Sequence, residues 1–297
     1  MPLASSAMPS IHQVYNSCGI SCVLMALKPD KNHVVDAFLR ALEKKVTKSM
    51  KIDPMRYDFL DRVQFAAAWL VLRAVFTETT LLDMVAPVLP DIENVRPVLE
   101  SRLDEMVVYQ KASNNQKIEK DHAKLLERGD ITQNLLAAYI QEHKTDVELK
   151  LLGALLGLSY KAVPEQDGGT PLGMVGPVDP EQPDTYARTV HTLARQLATG
   201  AVLANYEYHW LALREIGTRE ENIAKNGASS QVTPGHDASS HGTSDAPHYF
   251  KFNNPLSGST ITVRQPDVLQ KYMFYLFDFN PAQQQRCIDV LESTLKL

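Results

Sequence analysis

The chain has 297 residues, 44% of them hydrophobic, and a formal net charge of -5. That is enough apolar material for a sizeable core, as one elaborated domain or a core carrying an insertion, and it leaves no basic footprint for nucleic acid. The 3 cysteines make no disulfide framework and suit a reducing compartment.

Residues 1–10 lack a basic start and a continuous apolar run, so no secretory signal is read there and a frayed terminus is expected. Residues 65–76 form the longest apolar stretch, broken by Arg73 and too short to span a bilayer. A soluble protein follows, cytoplasmic or exported without a readable signal peptide.

The segment Gln13-Val14-Tyr15-Asn16-Ser17-Cys18-Gly19-Ile20-Ser21-Cys22 is the most informative. Asn16 and Ser17 are N-cap residues, and Ile20, Val23, Leu24 and Leu27 recur at helical spacing, which predicts a short amphipathic helix ending near Lys28 before Pro29. Cys18 then lies in the first turn, where unpaired N–H groups and the helix dipole favour a thiolate and a lowered pKa. Gly19 is expected to leave open space beside it. Gln13 is placed to join the Cys18 N–H as an oxyanion donor, with Asn16 or His12 as alternatives. Cys22 reads as a small apolar residue.

Further helices are predicted from Val34 past Leu42, over 58–76 with Phe65, Trp69, Leu72 and Phe76 on one face, and near 80–84, 95–109 and 131–143. Residues 111–128 are charged and read as a solvated helix face. The Pro- and Gly-rich span 163–183 reads as an irregular loop, with Gly168-Gly169 as a turn. Residues 218–247 carry almost no large apolar side chains and read as a mobile loop. Its His236, His241, Asp237 and Asp245, with His248, match no metal-site spacing, so no metal and no cofactor are expected. Cys287, on a C-terminal helix, reads as structural.

Two short apolar runs, 201–204 and 210–213, flank His209 as two strands. The aromatic strand from His248 ends in Asn253-Asn254-Pro255 and would pair beside the His209 strand. Asn254 is the first choice to orient the His209 ring, and Asn253 the second, because a one-residue shift flips a strand side chain to the other face. Trp210 is expected to shield the His209–Asn254 contact. Taken singly, each residue has a plainer role: a buried thiol, a core histidine, turn-shaping asparagines.

In combination these segments resemble papain-like cysteine peptidases. They are similar to double-glycine leader peptidases and to the related secreted bacterial effector proteases of the Shigella demyristoylating type. The likeness rests on Gln13, Asn16-Ser17-Cys18-Gly19, the helix-to-strand run Leu151 to Tyr160, the helix and Gly200 leading to His209-Trp210, and Asn254-Pro255 in place of the usual Asp-Pro. It implies an α+β fold in which an N-terminal catalytic-Cys helix packs on a C-terminal antiparallel sheet. The whole chain would be one domain, with 30–148 as a helical insertion. It further implies Cys18, His209 and Asn254 as catalytic residues, Gln13 in the oxyanion hole, and a protein or peptide substrate. The same site would serve deamidation or transglutamination, and a degenerate interaction module is the non-catalytic alternative. Oligomeric state is not readable.

Overall fold

The computed structural model describes residues 4–5, 9–28, 32–89, 92–110, 115–161, 174–175, 183–218, 248–264 and 271–297. The expectations placed on the rest of 163–183 and on 219–247, Gly168-Gly169 among them, lie outside the described residues.

The architecture is α+β, a helical layer against an antiparallel sheet. A short strand β1 (Ala4–Ser5) leads to α1 (Cys18–Ala26). The helical region then runs through α2 (His33–Met50), α3 (Phe59–Phe76), α4 (Thr80–Val85), α5 (Ile92–Gln110), α6 (Asn115–Arg128), α7 (Gln133–Tyr139) and α8 (Asp146–Leu155). After β2 (Leu158–Tyr160) and β3 (Met174–Val175), α9 (Pro183–Thr199) feeds β4 (Gly200–Tyr206) and β5 (His209–Thr218). The chain closes with β6 (His248–Asn254), β7 (Ser259–Arg264), β8 (Met273–Phe279) and α10 (Pro281–Leu295).

The helix starts follow local chemistry. Asp58 and Asp61 form a capping box at α3, Thr145 and Glu148 form another at α8, and Asn280 caps α10 with Pro281 behind it. The sheet order is β2-β8-β4-β5-β6-β7, with β1 added to β5 and β3 to β8, all antiparallel. The β4–β5 hairpin turns on Glu207 and Tyr208, both at positive φ, 47° and 66°. That matches the twist-compatible two-residue hairpin turn, here made without glycine. Its register, Tyr206 opposite His209, fixes His209 as the first residue of β5.

The core is continuous from α1 through the helical region to the sheet, so residues 30–148 share one apolar interior with the rest of the chain. Three local expectations need correction. Every residue of α1 is buried, because β4, β5, α3 and α8 all pack on it; it is a central helix and not an amphipathic one. The 111–128 stretch is not simply solvated, since α6 turns Ile118, Asp121, His122 and Leu125 inward at helical spacing. Within the expected irregular loop 163–183, Met174 and Val175 pair with Phe274 and Tyr275 of β8.

Candidate active site

Cys18 opens α1 and is 1% exposed. The loop before it is held by one buried side chain, Gln64 of α3. Its Oε1 accepts from the Val14 N–H (2.9 Å), the Ser17 hydroxyl (2.5 Å) and the Ser21 hydroxyl (2.9 Å), while its Nε2 donates to the His12 carbonyl (2.8 Å). Ser17 is the N-cap residue by position, yet its hydroxyl is spent on Gln64 and the Val14 carbonyl and makes no cap bond. The first N–H groups of α1 are thereby left for other acceptors. Tyr15 completes the turn at φ 53°, a strained value for a bulky residue, with its hydroxyl 2.6 Å from that of Tyr57.

The same loop is tied to the far end of the sheet. Gln13 N–H donates to the Pro255 carbonyl at 2.9 Å, and the Ser10 hydroxyl donates to the Gly258 carbonyl at 2.7 Å. These bonds bring the Cys18 loop against the turn that follows Asn254. On that turn, Asn254 Oδ1 lies 2.8 Å from His209 Nε2 and also accepts the Leu256 N–H at 3.0 Å. Asn254 and His209 sit diagonally on adjacent strands, in the register set by Ala212 opposite Asn253. Asn253 is fully buried on the opposite face, where its amide donates to the Pro9 carbonyl. Of the two asparagines, the structure brings Asn254 to the imidazole.

The Leu256 N–H must meet an oxygen, so the Asn254 oxygen faces His209 and Nε2 is the donor. The free nitrogen of a neutral ring is therefore Nδ1, the one nearer its own backbone. The backbone of Trp210, the next residue, is among the groups that favour the ionised form of Cys18.

The thiol departs from one expectation. Burial pushes the Cys18 pKa above its ordinary 9.0; the N–H groups of Trp210, Gly19 and Cys18 itself and the charge of Lys144 pull it back only in part. The helix start does favour the thiolate, but desolvation outweighs it. Cys22, one turn on and fully buried, is pushed up further by burial and by Cys18, and behaves as a core residue.

Gln13 lies in the loop as expected, although one amide N–H is already given to the Tyr15 carbonyl at 2.6 Å, which leaves a single N–H to serve an oxyanion. Its Oε1 is buried without a hydrogen-bond partner. Asn16 donates to the Gln141 carbonyl at 2.6 Å, and His12 is exposed beside Gly258. Gly19 does not leave open space. A Cβ there would stand 2.8 Å from a Leu149 methyl and 3.2 Å from the Trp210 ring, so glycine is what lets α8 and β5 approach the helix.

Trp210 is also placed differently from expectation. Strand alternation turns it to the face opposite His209, where its ring lies tilted at 56° against Tyr275 with centroids 4.9 Å apart, and its indole N–H donates to the Lys144 carbonyl at 2.9 Å. It packs beneath the Cys18 helix and not over the His209–Asn254 contact.

Gln64 and Lys144 were not singled out from sequence. Gln64 carried one signal, a lone amide inside the apolar run 63–72; Lys144, within a polar turn, carried none. Among the described residues no group of His, Cys, Asp and Glu is arranged to hold a metal, and no helix is long and apolar enough to cross a membrane. Cys287 is buried against the Ala154 carbonyl. Searches against protein-family models, curated proteins and solved structures find no match for this chain. The case for function therefore rests on the site itself.

Proposed function

We propose that this chain is a papain-like thiol hydrolase that cleaves a peptide or isopeptide bond in a protein substrate. The observation that carries the proposal is the His209 Nε2 to Asn254 Oδ1 bond, which leaves Nδ1 as the basic nitrogen of the ring. In this scheme Nδ1 takes the Cys18 proton as the sulfur attacks a carbonyl. The resulting oxyanion is met by the Cys18 N–H and the remaining N–H of Gln13. The imidazolium returns its proton to the leaving amine, and a water deprotonated by the same nitrogen hydrolyses the thioester. Because burial disfavours a resting thiolate, His209 acts at the moment of attack, as a general base.

The same groups would serve deamidation or transglutamination, in which the acceptor differs and the thioester step is shared. One observation favours a non-catalytic module: the thiol is 1% exposed and its pKa is raised. The two readings part on product. Mapping new protein N-termini in a proteome treated with the wild-type chain, against Cys18→Ala, should reveal cleavages present only with the wild type. Identical maps, with no substrate deamidated or cross-linked, would overturn the hydrolase.

A further inference from the structure

Three helices of the helical region each turn a pair of residues four positions apart into one cavity of about 570 Å³: Lys45 and Ser49 from α2, Trp69 and Arg73 from α3, Lys124 and Arg128 from α6. Residues four apart share a helix face, so the sequence aligns each pair and the packing makes the three pairs converge. The loop from Gly129 to Thr132 and the end of α10 complete the wall, to which Cys18, His209 and Asn254 do not belong. Among the described residues, four cations line the space against one carboxylate, Asp130, in a chain whose net charge is -5.

Existing partners account for part of this charge. Arg73 Nη2 donates to Glu78 at 2.8 Å, Lys124 pairs with Asp121 at 3.2 Å, and Lys45 donates to the Leu295 carbonyl at the end of α10. Arg73 and Arg128 also stand in the last turns of α3 and α6, where the helix dipole favours a cation. Donors are nevertheless left over. Arg128 forms no ion pair among the described residues. Arg73 Nε is buried with no hydrogen-bond partner, and its guanidinium lies 5.5 Å over the Trp69 ring. Trp69 is 5% exposed, and its indole N–H meets no acceptor among the described residues. Folded proteins leave few buried donors unpaired, and a bound ion is one of the reasons for an exception.

We propose that this cavity is a binding site for a soluble small molecule carrying two phosphoryl groups, held chiefly by Arg73, Lys124 and Arg128. The guanidinium fork matches phosphoryl oxygens, and cations supplied by three separate helices suit more than one anionic group. The volume is that of a small-molecule site and exceeds what a single inorganic ion fills. Trp69, Met50 and Ile131 add apolar wall for the body that joins the two groups. The proposal stands apart from the hydrolase reading, because it requires no chemistry at Cys18.

The test is isothermal titration calorimetry of the full chain at low salt with inorganic pyrophosphate, orthophosphate and succinate. Pyrophosphate should bind at least about tenfold more tightly than either of the others. Arg128→Glu, at an exposed position, should weaken it by about tenfold or more, and Lys124→Gln by several-fold. Arg286→Glu makes the same change of charge on an exposed part of α10 outside the cavity, and should leave the affinity within about twofold. No pyrophosphate binding tighter than about 1 mM would overturn the proposal. Equal weakening by Arg286→Glu and Arg128→Glu would overturn it as well, since that marks general attraction to the surface. Succinate binding as tight as pyrophosphate would overturn the phosphoryl class. Flotation with phosphatidylcholine vesicles carrying phosphatidylinositol bisphosphate, lost in Arg128→Glu, would support the site and overturn the soluble source; pyrophosphate binding without flotation supports both.

Discussion

Asn254 Oδ1 accepts from the Leu256 backbone and from His209 Nε2 at once, and the first bond dictates the sense of the second. A turn-shaping contact thus sets the tautomer of the imidazole, and with it which ring nitrogen is left basic.

This relationship separates the two asparagines. Asn254→Ala should lower turnover by about tenfold to a hundredfold through misorientation of the ring, less than His209→Ala, for which a loss of about 10²–10⁴ is expected. Asn253→Ala, which removes a fully buried amide bonded to the Pro9 carbonyl, should reduce stability and leave the proposed turnover of the folded chain near wild type. Steady-state kinetics with thermal melts on the three variants checks the order. A reversed order between the asparagines would place the wrong one on His209.

Gln64→Leu strands the Ser21 hydroxyl in a buried site and takes one of two partners from the Val14 N–H and from the Ser17 hydroxyl. Unsatisfied buried groups cost about 1–3 kcal/mol each, and relaxation recovers part of that, so a loss of about 3 kcal/mol is expected by chemical denaturation. Gln64→Glu keeps the acceptor but loses the donor to His12, and should fall between.

Gly19→Ala should cost about 1–3 kcal/mol, because the new methyl meets Leu149 and Trp210. Adding Leu149→Ala should make the glycine substitution cheaper, although the second change carries its own cavity cost. A double-mutant cycle by urea melts reads the coupling directly; additive effects would contradict the contact.

Lys144 also predicts the sign of a pH dependence of stability. Its folded value of about 8 lies below the ordinary 10.5, so between these the unfolded chain binds more protons and this residue's contribution to stability rises with pH. The buried ammonium costs up to about 3 kcal/mol at pH 7 and nothing above about 10.5. The thiols of Cys18, Cys22 and Cys287, all raised by burial, work in the opposite sense above 9.0. The difference between wild type and Lys144→Met isolates the lysine: the variant should hold its largest advantage near neutral pH and lose it by about 10.5.

Much of this was legible because it is written in local chemistry. A histidine between two apolar runs became the first residue of β5, and an aromatic run ending in Asn-Asn-Pro became β6 and its turn. The cysteine helix was legible as a helix, though not as a buried one, because periodicity cannot tell a helix packed on all sides from one packed on a single face. What escaped depends on contacts far apart in sequence. Gln64 reaches a loop about fifty residues away, and the Lys144 carbonyl reaches Trp210 across sixty-six. The thiol's raised pKa escaped for the same reason, since the helix start is visible in the sequence and the depth of its burial is not.

The most direct test uses p-nitrophenyl acetate, which transfers an acyl group to a reactive thiol without requiring the natural substrate. A stoichiometric burst of p-nitrophenolate should accompany one acetyl group, mapped by mass spectrometry to Cys18. Cys22→Ala should retain the burst, and His209→Ala should slow it by about a hundredfold or more. Acetyl on Cys22, or a burst indifferent to His209, would contradict the pairing of Cys18 with His209 on which the proposed chemistry depends.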